Sequence, residues 1–307
     1  MTFKETFTIQ PLAPFRLEVS AQIFTGLNRQ VRSFTDGTYS QVLRVKGELV
    51  LARIVSRGTV KQPKLQIELT SNQLITTQTK HAVLQTIEYI FNLNMDLQEF
   101  YQQIKHDPIM HKITSQLCGF KYPTTPTAFE SLVDSIVEQQ ISIKIARAIE
   151  ERLAQKFGDK LQLDSECFYT FPSPQNIVTA SISDIRSCGL SQRKAEYIYG
   201  AAHSIVNGKL DLEGMKNNPN TEAAIAELDE IRGIGIWTAE LTLFRGMQHL
   251  DILPADDFGI RRAIAAYYCN GEPIKAPKAR EIGKTWGKWQ GLAAFYLLSA
   301  EFNGITG

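Results

Sequence analysis

The sequence predicts an α+β protein: a small antiparallel β-sheet domain with one helix over residues 1–95, then an all-helical domain over 96–307, in two lobes with a cleft between them. Three observations carry that expectation. Period-two apolar patterns are confined to the first ninety or so residues, helix-period patterns fill the rest, and 307 residues suffice for about two domains.

In the first region, Phe15, Leu17 and Val19 alternate, as do Leu65, Ile67 and Leu69, which is the period of a half-buried strand. Val42–Val45 and Leu49–Ile54 flank Lys46-Gly47-Glu48, a natural hairpin turn. Val83, Leu84, Ile87, Ile90 and Phe91 then form a helical stripe. No catalytic motif appears here.

From about residue 96, strand signals disappear. Thr127 and Glu130 have the form of a capping box ahead of Leu132, Val133, Ile136 and Val137. The pattern stutters at Glu138-Gln139-Gln140-Ile141-Ser142 and restarts towards Leu153 and Phe157, so two helices are expected to meet there, with Gly158 as a stop. Ser173-Pro174 and Ser191 each open a further helix. A final helix is expected to carry Trp286, Trp289, Leu292, Ala293, Tyr296 and Leu297.

Composition excludes several classes. The chain is 43% hydrophobic and 21% charged, without a run of eighteen apolar residues, so no membrane span is expected. Its start lacks a signal-peptide core, which makes a cytoplasmic location the expectation. Cys118, Cys167, Cys188 and Cys269 are scattered, as are the five His, so reduced thiols are expected and no metal catalyst is indicated. Net charge is only +1, but residues 1–92 hold 11 Lys and Arg against 6 Asp and Glu, and the remainder 22 against 26. Within that acidic remainder, residues 258–288 carry seven basic residues (Arg261, Arg262, Lys275, Lys278, Arg280, Lys284, Lys288) against Glu272 and Glu281. Such a stretch suits either a phosphate-contacting face or a solvated helix surface.

Two stretches bear chemistry. In Asp229-Glu230-Ile231-Arg232-Gly233-Ile234-Gly235-Ile236-Trp237, one helical pattern breaks at Gly-Ile-Gly and another begins at once. The glycines permit positive φ and close approach, Ile234 can tuck beneath, and the new helix points free N–H groups outward, which suits a phosphate. An ordinary helix–turn–helix connection has the same form. Twenty residues beyond the Trp, Pro254-Ala255-Asp256-Asp257 opens a helix through Ile260, Ala263 and Ile264. On spacing alone, two Asp at that place are an N-cap and a first-turn carboxylate.

A glycine hairpin with an Asp at this separation resembles the helix-hairpin-helix DNA glycosylase superfamily, and most closely its alkylation-repair branch, 3-methyladenine DNA glycosylase II. Further segments are similar to that branch: Phe168–Pro174, Ile185-Arg186-Ser187-Cys188-Gly189-Leu190 with Arg193-Lys194-Ala195, and Gln139-Gln140-Ile141-Ser142. The resemblance spans most of residues 95–300 and is fainter before that. It implies hydrolysis of the N-glycosidic bond of alkylated purines, chiefly 3-methyladenine, flipped out of double-stranded DNA. Rival readings are a glycosylase for oxidised or deaminated bases, and a non-catalytic helix-hairpin-helix DNA-binding protein.

The resemblance assigns Asp257 as the catalytic carboxylate and leaves Asp256 to the helix cap. It places Trp237, Trp289, Phe258 and Leu241 in the base pocket. DNA contacts fall to Gln139, Gln140, Gly233, Ile234, Gly235 and Arg261, with Gln140 as the wedge that fills the emptied stack. It also implies a monovalent cation on the carbonyls of Asp229, Ile231 and Gly233, but no cofactor for the reaction. A monomer is expected, since a duplex must enter the cleft. Two departures concern substrate range: Leu241 stands where an aromatic is expected, and Phe258 where a Tyr is. Bifunctional members carry Lys at the place of Trp237, and a Trp cannot form an imine, so no strand cleavage is expected. The closely spaced Cys set of iron–sulfur members is also lacking.

Overall fold

The computed structural model describes residues 2–218 and 220–305. Strands β1 (Phe3–Ile9), β2 (Arg32–Thr35), β3 (Thr38–Val45), β4 (Glu48–Ser56) and β5 (Leu65–Ser71) form an antiparallel sheet in the order β1-β5-β4-β3-β2. Its hairpins close on two-residue turns. Lys46 and Gly47 join Val45 to Glu48, and Asp36 and Gly37 join Thr35 to Thr38, with all four turn residues at positive φ as type I′ geometry requires. Short helix α1 (Leu17–Ala21) and the long α2 (Thr77–Ile90) pack on the sheet, burying Leu17, Ala21, Val83, Ile87 and Ile90 with Ile54, Ile67 and Leu69. The strand expected from Phe15, Leu17 and Val19 is therefore this helix. Leu17 and Ala21, four apart, share the buried face, and three alternating residues are too few to fix a period.

The remainder comprises α3 (Gln98–Gln103), α4 (Pro108–Gln116), α5 (Ala128–Glu138), α6 (Ile143–Phe157), α7 (Pro174–Val178), α8 (Ile182–Arg186), α9 (Gln192–Val206), α10 (Leu212–Met215), α11 (Thr221–Asp229), α12 (Ile236–Met247), α13 (Phe258–Tyr268), α14 (Ala276–Gly283) and α15 (Gln290–Phe302). A β-hairpin not foreseen from the sequence, β6 (Lys160–Leu163) with β7 (Glu166–Tyr169), interrupts them. Its Leu161, Leu163 and Phe168 cover Val42 and Leu51 on the outer face of the sheet. Four-residue strands give too short a pattern to stand out among helices.

The helices bury two cores. One gathers α5, α6, α9 and α11 around Leu132, Ile136, Ile149, Ile198 and Leu228; the other gathers α3, α4, α13 and α15 around Phe100, Phe120, Ile264, Trp286 and Tyr296. Helix α12 serves both, giving Ala239 and Leu243 to the first and Leu241 and Phe244 to the second. The cleft opens between these lobes. Among the described residues no helix is long and apolar enough to cross a membrane.

Polar ties fix the sheet to the helices. Arg32 on β2 donates to Glu130 on α5 at 2.9 Å, so the Glu130 carboxylate serves the sheet while its amide is capped by Thr127 Oγ1. Lys121 is fully buried, its Nζ donating to the carbonyls of Leu12 and Leu93 at 3.1 Å each. Burial pushes that ammonium down to about 8.

Candidate active site

Helix α11 ends at Asp229, and the chain turns through Gly233 at φ 92 before α12 begins. A Cβ on Gly233 would lie 2.1 Å from the Tyr197 ring of α9, so both conformation and space demand glycine. Ile234 is 3% exposed, tucked beneath the hairpin. Its amide donates to Ile231 O at 2.9 Å, so Ile234, expected at the DNA, has no free donor to offer there. Gly235 is the N-cap of α12 and gives it no side-chain hydrogen bond, unlike the caps of α5, α6, α9 and α13. The first-turn amides of α12 thus stand open to an anion at the positive end of a twelve-residue helix.

The opposite wall is the start of α13. Asp257 Oδ1 accepts the Ile260 amide at 2.9 Å, so Asp257 is itself the N-cap. The cap role expected of Asp256 therefore falls to its neighbour. Asp256 is exposed, 3.6 Å from Arg280, whose guanidinium also reaches Leu253 O and Glu240. The second oxygen of Asp257 accepts the indole N–H of Trp237 at 3.2 Å. One carboxylate thereby fixes a helix start and meets the first turn of α12. Arg261, expected to contact DNA, donates through Nη1 to the carbonyls of Ala255 and Asp256 and braces the loop ahead of Asp257. The basic stretch around it is largely paired: Arg262 with Glu301, Lys278 with Glu281, Lys288 with Glu99.

A cleft of about 1580 Å³ lies between these walls, lined by Trp237, Asp257, Phe258, Arg262, Gly235 and Gln140 among others. Phe258 is 71% exposed at its rim, with the Arg262 guanidinium 5.9 Å from its ring centre. Trp289 and Leu241, expected in the pocket, lie in the core instead. Leu241 faces away on α12 at 0% exposure, and Trp289 packs on Phe100 at 5.8 Å. Gly287, at φ 57, breaks the final helical stretch into a 3₁₀ segment carrying both Trp and a separate α15, so the single helix expected there does not form.

Aromatic walls come from residues the sequence did not single out: Tyr122, Phe295 and Phe24 line the cleft. Tyr122 packs against Phe295 with ring centres 4.3 Å apart and planes tilted by 50°, and burial pushes its phenol up. Tyr122-Pro123 was the available signal, whereas Phe295 sits inside an apolar helix where function leaves no trace in the pattern.

The floor is charged. Arg245 pairs with Glu138 at 2.6 Å, while Asp134 and Glu150 line the cleft beside Arg32 and Arg147. Burial and the neighbouring carboxylates push the Asp134 carboxyl well above the usual range; burial and Glu138 push that of Glu150 up to about 8.

Gln140, between α5 and α6, is exposed at φ 55 on the cleft margin. Gln139, expected at the DNA, turns inward: its Nε2 donates to Gly233 O and Thr238 Oγ1, each at 3.0 Å. Of the three hairpin carbonyls, Gly233's accepts Gln139 and Ile231's accepts the Ile234 amide. Each carbonyl keeps a second lone pair that a cation could use.

A profile described as HhH-GPD superfamily base excision DNA repair protein matches residues 133–288. A DNA-3-methyladenine glycosylase of Bacillus subtilis is 26% identical over 260 residues, covering 81% of this chain and 85% of its own length. DNA-3-methyladenine glycosylase 2 of Escherichia coli is 27% identical over 183 residues, 60% of this chain and 61% of that one. Among solved structures, a 3-methyladenine DNA glycosylase from Archaeoglobus fulgidus superposes with a TM-score of 0.84 at 25% identity, covering 98% of this chain and all of that one. An 8-oxoguanine glycosylase/lyase of Clostridium acetobutylicum, bound to DNA, shares the fold with a TM-score of 0.78 at 21% identity, over 99% of each chain.

Proposed function

The chain belongs to the HhH-GPD superfamily of base excision DNA repair proteins, and we propose that it is a monofunctional glycosylase hydrolysing the N-glycosidic bond of alkylated purines, chiefly 3-methyladenine. The observation that carries this reading is the indole-to-carboxylate bond between Trp237 and Asp257. A base inside a duplex is out of reach and must be extruded, at a cost of a few kcal/mol. The open amides of α12 hold a backbone phosphate, and a monovalent ion sharing the hairpin carbonyls would add positive charge beneath it. Gln140 fills the gap left in the stack.

An N-alkylated purine is cationic and already a good leaving group. Trp237 offers it an electron-rich face, worth roughly 0.5–2 kcal/mol. As the glycosidic bond breaks, electrons move onto the base and positive charge grows on the sugar. The Asp257 carboxylate, oriented by the Ile260 amide and the Trp237 indole, stabilises that charge and orients the incoming water. The names of the Bacillus and Escherichia relatives support alkylated bases as the substrate.

Strand cleavage through an imine needs a free amine in the cleft. Lys194 is the one lysine among its described lining residues, and its Nζ is engaged by the carbonyls of Val137 and Gln139. The proposed working form is a cytoplasmic monomer on duplex DNA. Methylated duplex DNA tests the reading. The native chain should release 3-methyladenine and leave strands intact until alkali is added, while Asp257→Asn releases it at least about 10²-fold more slowly. Robust trapping of native protein by borohydride would overturn the monofunctional assignment.

A further inference from the structure

Helix α9 carries two cleft-lining residues that hold the loops bearing Gln140 and Gly233. Lys194 Nζ donates to Val137 O at 2.8 Å, in the last turn of α5, and to Gln139 O at 2.6 Å, on the residue that caps that helix before Gln140. Three residues along the same helix face, Tyr197 packs against Gly233 of the hairpin. Gln139 spans the two contacts: its carbonyl is held by Lys194, and its side chain holds Gly233 O and Thr238 Oγ1. Gln140 stands at φ 55, a conformation a non-glycine residue keeps only where its neighbours fix it.

From this geometry we propose that α9 is a bracket coupling phosphate grip to wedge insertion, with Lys194 and Gln139 as positioning residues that hold Gln140 ready to enter the stack when the hairpin seats on DNA. Lys194 suits the task. An ammonium at the C-terminal end of a helix meets the negative end of its dipole and satisfies carbonyls left without partners. Burial lowers its pKa, in keeping with an amine drawn into the fold rather than held out to solvent phosphate. A hairpin displaced by phosphate would pull on Gly233 O and Thr238, and so on Gln139 and the turn. The proposal rests on the base-flipping reading above but makes no use of the lesion's identity.

The test uses the full chain and a duplex in which 2-aminopurine adjoins one 7-methylguanine whose sugar carries 2′-fluorine, so that extrusion is seen without bond cleavage. Lys194→Met should cut the rate of 2-aminopurine brightening about tenfold, while affinity for undamaged duplex and its salt dependence stay within about twofold. Gln139→Glu, which sets an acceptor against Gly233 O, should give the same split with Lys194 intact. Lys194→Arg should recover part of the rate. Combined with Gln140→Ala, Lys194→Met should add little to the larger single loss, since both act on one step.

Weaker binding of undamaged duplex with a shallower salt slope would make Lys194 a phosphate contact and overturn the proposal. Multiplying losses in the double variant would do the same, as would an unchanged rate, or a native protein that leaves the probe dark. If native protein brightens the probe yet releases no alkylated base, the substrate assignment falls and the bracket stands.

Discussion

The indole N–H of Trp237 and the Oδ2 of Asp257 are 3.2 Å apart, while the other oxygen of the same carboxylate caps α13. The surface on which a base can stack and the charge that would face its sugar are thus set by one hydrogen bond across the cleft. Asn caps a helix about as well as Asp but sets an NH2 donor against the Trp237 indole N–H, so Asp257→Asn should cost about 1 kcal/mol of stability while base release falls by a factor of about 10² or more. Asp257→Ala should lose the activity and also ~1 kcal/mol of stability. A melting curve beside a single-turnover assay separates the two.

Trp237→Phe keeps an aromatic face but withdraws the N–H. It should slow single-turnover release about tenfold with little change in affinity for DNA holding an abasic-site analogue, since the missing bond acts on the carboxylate. An equal loss in abasic-site binding would show that the indole serves mainly as a DNA contact.

Gly235→Asp should fold well and bind badly. A Cβ there meets nothing within 4 Å and the residue's φ of −96 suits any side chain, so the new carboxylate can cap α12 and stabilise it by roughly 0.2–0.4 kcal/mol. The same carboxylate fills the anion seat and repels phosphate. Duplex affinity should fall at least about tenfold at low salt, measured by anisotropy.

Gly233→Ala acts differently. The substituent would meet the Tyr197 ring at 2.1 Å, at φ 92, so the fold itself should lose about 1–3 kcal/mol. Denaturant midpoints for the native and variant chains would reveal it.

Glu150 gives a pH signature. Its folded pKa, raised to about 8 by burial and by Glu138, exceeds the ordinary carboxyl value of 4.5. The folded state therefore holds a proton that the unfolded chain releases across that interval, and stability falls as pH rises from about 4.5 through 8. Glu150→Gln keeps the shape without the ionisation. It should flatten this slope and, at pH 9, melt about 2–4 °C above the native chain. A parallel shift at all pH values would remove Glu150 as the origin.

The legible parts were those where local chemistry decides the conformation. Gly233 and Gly235 mark the hairpin, Ser173 and Ser191 announce their helices, and the break at Gln139–Ser142 is where two helices meet. Side-chain destinations were less so. Gln139 and Arg261 read as solvent-facing polar residues, yet both donate to backbone carbonyls that only the folded loops bring within reach. Trp289, placed in the pocket by resemblance alone, follows Gly287, whose positive φ ends the expected helix and leaves the indole packed on Phe100. Tyr122 and Phe295 come to the cleft from segments 173 residues apart, a juxtaposition no window of sequence contains. The Arg32–Glu130 tie has the same cause: a capping-box glutamate is claimed by a distant guanidinium.

Lys121 bears on how the chain is made. The ribosome delivers the strands and α2 first, but the amine that closes on Leu12 and Leu93 emerges 28 residues after Leu93. Until then the Leu93 carbonyl, in the loop after α2, has only the Leu12 amide as donor and the Leu12 carbonyl awaits its own, so the seam between sheet and helices stays exposed. Translation pausing within residues 94–120 would prolong that exposure, making this interval the one in which a nascent-chain chaperone has most to protect.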